Sequence, residues 1–280
     1  MIFSPLRTRT TGNALPGNAV CSKLVVEEWL MSTTPVIAAE APQAPEPINH
    51  FARIAGIFFS PQSTLEDIVR RPSWVLPVIL MTVLGAGVAF VMNQKVDWRD
   101  VASKRIEENS RAANMSSEQK EQQISMSAKI SPGAAYGFGI AWPILQALIV
   151  AGVMMLAYNL IGGAGAKFGT SMGIVSHAYF PWILYSLLFI LILYLKAPGT
   201  VDLDNPIATN VGAFLPESTP KAVMSLAKSL DIFSIWTLLL ISVGFAAASP
   251  KKLKGKAFSV AISVWAIYVA IKMGGAWIFS

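Results

Sequence analysis

Two ionisable side chains stand inside long apolar stretches of this sequence, His177 and Lys272. Charges at such depth are costly and usually functional, so these are the first places to look for chemistry. A histidine could relay protons, because its imidazole titrates near neutral pH. Its structural alternative is a ring near the interface, hydrogen-bonded to a neighbouring helix. Lys272 lies one or two turns from a helix end, within reach of water by snorkelling. No Asp or Glu falls within an apolar core, so a carboxylate relay for protons or sodium is not supported. Asp231 opens an apolar run, where a carboxylate suits a helix N-cap and the positive end of the helix dipole.

Other chemistry is missing from the chain. There is no His-Glu-x-x-His zinc motif, no Gly-x-x-x-x-Gly-Lys phosphate loop and no Gly-x-Ser-x-Gly nucleophile elbow. With two histidines, His50 and His177, and one cysteine, Cys21, neither a multi-histidine metal site nor a thiolate cluster or internal disulfide can be built. We therefore expect no catalytic, cofactor-binding or metal-binding residues, no cofactor, and no enzyme.

The elements that must position His177 and Lys272 are membrane helices. Of 280 residues, 54% are hydrophobic and only 14% charged, which does not suit a soluble chain. A helix crossing about 30 Å of hydrocarbon needs roughly 20 apolar residues. Stretches free of Asp, Glu, Lys and Arg run over 72–94, 130–166, 168–195, 232–250 and 257–271. They predict an all-α, polytopic fold with five transmembrane helices at about 74–92, 136–161, 171–195, 232–248 and 257–279. Pro77, Pro143 and Pro181 are candidate kinks. Gly133 and Gly137 match the small-xxx-small pattern of close helix packing, and Gly85 with Ala89 does so more weakly.

The net charge of +6 has to be read by segment. Five spans place 51–73, 162–170 and 249–256 on one face, with 8 Lys/Arg in 40 residues, against 10 in 76 for the opposite loops, where 10 acids balance them. Positive residues in short loops mark the cytoplasmic side, so the N-terminus is expected inside and the C-terminus outside. The basic excess then records topology, and nucleic acid is not an expected partner.

Outside the spans, residues 1–31 lack a signal-peptide core and read as a disordered or non-native extension, with Met31 a candidate start; 32–50 form an Ala/Pro-rich linker. Residues 51–280 form the membrane domain. His50–Ser60 places Phe51, Ile54, Ala55 and Phe58 on one face, and Ser60-Pro61 opens a second short helix with a stripe of Leu65, Ile68 and Val69. Such amphipathic helices beside a span are expected to lie in the membrane plane. The loop between the first two spans predicts a soluble helical pair, 97–113 and 117–130, the second opened by a capping box of Ser116 and Gln119. Thr219-Pro220 starts a helix that runs towards, or into, the fourth span.

Several local patterns resemble the bacterial branch of the Yip-one domain, a family of Ypt/Rab-interacting integral membrane proteins. They are Phe58-Phe59-Ser60-Pro61 with Arg71-Pro72-Ser73-Trp74, Met115-Ser116-Ser117-Glu118-Gln119, Phe168-Gly169-Thr170 with Tyr179-Phe180-Pro181, and Leu230-Asp231-Ile232-Phe233-Ser234-Ile235-Trp236. The likeness covers about residues 51–280. It implies a five-helix domain with a cytoplasmic N-terminus in the bacterial inner membrane. Eukaryotic relatives are linked to Rab-type GTPases, but this chain shows no long N-terminal region to bind one, so GTPase binding is not carried over. The expected role is a non-enzymatic scaffold or adaptor that organises membrane components. Its expected partners are the lipid bilayer and other membrane proteins, or a second copy through its helix faces. The alternative is a small-solute transporter or channel, which the kink prolines and the Gly162-Gly163-Ala164-Gly165 turn would serve.

Overall fold

The computed structural model describes residues 46–107, 112, 114–197, 199–216, 218–253 and 255–278. The expectations for 1–31, and for the linker up to residue 45, lie outside the described residues. Within them the chain is helical and contains no β-strand, only an isolated antiparallel bridge between Asn210 and Asp231.

Two short helices come first, α1 (His50–Phe59) and α2 (Pro61–Arg70). Asn49 caps α1 by accepting the Ala52 N–H at 2.7 Å. Pro61 opens α2 as its sequence suggests, but the Ser60 hydroxyl makes no capping bond; the Ser60 carbonyl instead accepts from the Thr64 hydroxyl at 2.9 Å. The first span, α3 (Val75–Lys95), is followed by the polar helix α4 (Trp98–Glu107).

The largest departure from the sequence reading comes next. The expected second arm of the soluble pair and the expected second span are one helix, α5 (Ser117–Leu160), 44 residues long and uninterrupted by Pro132 or Pro143. Its N-terminus has the capping box of Ser116 and Gln119. At 1.5 Å per residue it is about 66 Å long, twice a bilayer core. Its first turns pair with α4 through Arg99 and Glu121, 2.6 Å apart, so the helical pair exists but its second arm continues into the membrane.

A turn with left-handed Gly163 and Gly165 (φ 60° and 69°) leads into the third apolar segment. The Asn159 side chain ties this turn by bonding both backbone groups of Ala166, at 2.7 and 3.0 Å. The segment is broken before Pro181 into α6 (Phe168–Ala178) and α7 (Pro181–Leu195). Then follow α8 (Lys221–Ser229), α9 (Ile232–Ala248) and α10 (Ala257–Ile278). The helix after Thr219-Pro220 stops at Ser229 and does not run into α9.

By length and composition four segments can cross a membrane: α3, α5, the combined Phe168–Leu195 and α10. The remaining one, the expected fourth span, is α9, a shorter apolar helix of 17 residues. Most aliphatic side chains on these helices face outwards, as they must where lipid is the solvent.

Between lipid-facing helices there is little hydrophobic driving force, so close packing and internal hydrogen bonds hold them together. α3 and α5 share the most extensive helix contact, and Gly85 and Gly139 meet backbone to backbone within it. The glycines that the sequence pattern picked out, Gly133 and Gly137, have open space around them. At the other end of α5, the Tyr158 ring stacks on Phe245 with centroids 4.0 Å apart, and its hydroxyl donates to the Ala257 carbonyl at 2.7 Å. Tyr158→Phe keeps the stack and removes this bond between helices, and should cost about 1 kcal/mol in thermal or denaturant unfolding of the purified protein.

Candidate functional site

The main buried cluster of charge lies where α1 and α2 meet the membrane helices. Arg53 is 3% exposed and reaches Asp67 with two nitrogens, Nη2 at 2.7 Å and Nε at 2.9 Å from Oδ2. Its Nη1 donates to the Ser73 hydroxyl at 2.6 Å, which tethers the start of the first span to both short helices. Arg71 adds a longer contact, 3.8 Å, to the other Asp67 oxygen. His50 Nδ1 lies 3.5 Å from Ser73 Oγ. Forked guanidinium–carboxylate pairing satisfies directional donors as well as charge, which a buried pair requires.

This pair divides the apolar face expected of α1, of which Ile54 and Phe58 pack on the core while Phe51 and Ala55 stay exposed. Arg53 and Ile57 face the protein, whereas Phe51 and Phe59 are 75% and 88% exposed. Leu65 and Ile68 of α2 are fully buried, as their stripe predicted, in a core shared with Ile174, Ile241 and Phe245. The Phe58 ring meets Trp236 edge-on at 5.7 Å, while Ile68 reaches Gly173. Gly244 packs on Ile174, the neighbour of Gly173, and lies eight residues from Trp236, about 12 Å along α9. The two short helices therefore pack along α9. They form a hairpin that runs down α9, with Gly56 against Thr64 where its arms cross.

His177 is buried next to this hairpin on α6. Its expected partner was a neighbouring helix; its Nδ1 instead meets the Gly173 carbonyl of its own helix at 2.8 Å. A carbonyl only accepts, so Nδ1 carries the proton there. The ring sits edge-on to Phe180, centroids 5.3 Å apart. Helix α6 ends directly after His177, which accounts for a polar ring at the break in this segment.

Lys272 and Asp231 lie elsewhere and are not brought together with His177. Asp231 caps α9 through the Phe233 and Ser234 N–H groups at 2.8 and 3.2 Å, and accepts from the Thr209 hydroxyl at 2.5 Å. Lys272 of α10 donates to the Ser229 hydroxyl at 3.2 Å, at the end of α8. Among the described residues, no group of three or more His, Cys, Asp or Glu side chains could hold a metal ion. Sequence reasoning missed Arg53 and Asp67, because a charge of each sign, 14 residues apart and beside a span, reads as solvated surface until the hairpin closes.

A family model described as the Yip1 domain matches residues 55–273, which takes in α2 to most of α10. The chain belongs to the Yip1 domain family. No curated protein and no solved structure matches it. As a Yip1 domain it is a multi-pass integral membrane protein, and its apolar helices supply the bilayer contact. The matched region contains the Arg53–Asp67 partner Asp67, the tether Ser73, and His177, Asp231 and Lys272.

Proposed function

We propose that this Yip1 domain is a non-enzymatic bacterial inner-membrane protein that organises or recruits other membrane components through its helix faces. The observation that carries the reading is how polar side chains are used at membrane depth. His177, Thr237 and Ser242 each bond a carbonyl of their own helix, at 2.8, 2.8 and 2.6 Å. Groups occupied in this way do not hydrate a passing solute, whereas the outer faces of α3, α5, α7 and α10 offer broad apolar surface. Reconstituted protein should show no specific solute flux, and crosslinking in native membranes should capture discrete membrane-protein partners. A specific flux abolished by His177→Ala would overturn the scaffold reading in favour of transport.

The same reading makes α9 the fourth of five spans, with the N-terminus cytoplasmic and the C-terminus outside. Seventeen residues extend about 25 Å, a little short of the hydrocarbon. Support comes from the segment before it, where Ile207 packs with Val91, Phe189 and Leu193 and so adds apolar thickness at that end. In a Cys21→Ser background, Ser218→Cys should react with an impermeant maleimide on intact cells, and Lys256→Cys only after permeabilisation. Labelling of both from one side would remove the fourth crossing.

A further inference from the structure

We propose that the cleft between α8 and α10 binds the phosphate of an anionic phospholipid headgroup. The cleft holds about 390 Å³ and is lined by Lys221, Lys228 and Lys272 together with Thr219, Ser225 and Asp204. Its one carboxylate, Asp204, faces Arg105 at 3.5 Å. Among the described residues, none of the three lysines has an acid within 4.0 Å, so three lysine side chains line one space with a single, already engaged counter-charge. Like charges held together in this way are stabilised by an anion between them, and lysine serves phosphate as a point charge with three donors.

A second observation points to the same ligand. Ser225 is buried, lines the cleft, and its hydroxyl has no hydrogen-bond partner. A buried hydroxyl without a partner is uncommon and calls for an acceptor or donor that the protein does not supply. The larger cleft nearby, about 700 Å³, differs: it shares Lys221 and Lys228, but its Lys104 pairs with Asp100 at 2.9 Å and also reaches the Gly199 carbonyl at 2.9 Å.

The headgroup is favoured over a soluble phosphate ester by what adjoins Lys272. Ile267, Tyr268 and Ile271 stand exposed on α10 beside it and would contact acyl chains while the lysines held the phosphate. A basic pocket next to an apolar helix face is the arrangement that reads lipid headgroups.

Native mass spectrometry of the full chain, titrated separately with phosphatidylglycerol, phosphatidylcholine and inorganic phosphate, tests this. Phosphatidylglycerol should be retained in preference to phosphatidylcholine, and Lys228→Gln/Lys272→Gln should weaken it about tenfold or more. Lys221→Gln, on the exposed first turn of α8, gives the same direction of change should the double variant fail to fold. Lys256→Gln, in a different loop, should leave binding unchanged. Equal retention of the two lipids, unaltered phosphatidylglycerol affinity in both lysine variants, or displacement of the lipid by inorganic phosphate at matching concentration would each overturn the proposal.

Discussion

Asp67→Ala should lower the stability of the folded protein by about 3–5 kcal/mol, seen as a large drop in melting temperature in detergent and in yield from the membrane. The reason is the fate of Arg53. Its guanidinium is 3% exposed and spends two of its nitrogens on Asp67, so removing the carboxylate strands a charge in an apolar core. The remaining bond to Ser73 satisfies a donor but not the charge. Replacing both partners, Arg53→Met with Asp67→Leu, should cost much less than the single change, because no buried charge is left unpaired. If Asp67→Ala melts within a degree or two of wild type, the pair is not what holds the two arms of the hairpin together. Loss of the hairpin would also free Phe58 from Trp236, so tryptophan fluorescence provides a second reading.

Gly85→Ala should be nearly as damaging, at about 3 kcal/mol or more. An added Cβ would overlap the Gly139 carbonyl, and a backbone atom in the middle of a helix cannot rotate away as a side chain can. Separating α3 from α5 to make room sacrifices van der Waals contact along the most extensive helix pair in the fold, and in lipid that contact is the main source of association. Gly139→Ala should behave alike, since its Cβ meets Gly85 in return. Gly133→Ala and Gly137→Ala face open space and should stay neutral or stabilise slightly, because alanine favours the helix. Equal melting of all four variants would show that the crossing is not tight.

These two predictions mark how far the residues could be read without coordinates. Apolar runs free of charge locate membrane helices because hydrocarbon leaves backbone groups no partner outside the helix. Local caps were legible for a similar reason: the Ser116 and Gln119 box and the Asp231 cap involve atoms within three residues of each other. Helix ends were less legible where apolarity and helicity part company. Charge content placed a boundary near residue 130, but the backbone passes through it, since polar and apolar residues propagate an α-helix equally well and Pro132 forfeits only one bond. At Pro181 the same residue type ends a helix and starts another, and no local feature separates the two cases.

The candidate site was legible only in part. His177 and Lys272 stand out in any scan for intramembrane charge, yet their partners, the Gly173 carbonyl and the Ser229 hydroxyl, are among the commonest groups in the chain. Glycine spacing suggested Gly133 and Gly137, although helix contact depends on which face a neighbour occupies. On α1 the expected apolar face divides: Ile54 and Phe58 pack on the core and Phe51 stays exposed, because Arg53 can be buried only against a carboxylate and its pairing sets the rotation of the helix.

What the residues alone determined is the class of molecule, four of the membrane segments, the Yip1 kinship and the Ser116 and Asp231 caps, all properties of short range or of composition. What only the tertiary structure decided is which charges meet: Arg53 with Asp67 in the hairpin, and Lys221, Lys228 and Lys272 around one cleft. Lys228 and Lys272 come from helices 44 positions apart in the chain, and a charge acquires its meaning from what lies within a few ångströms of it, a distance that chain position does not specify.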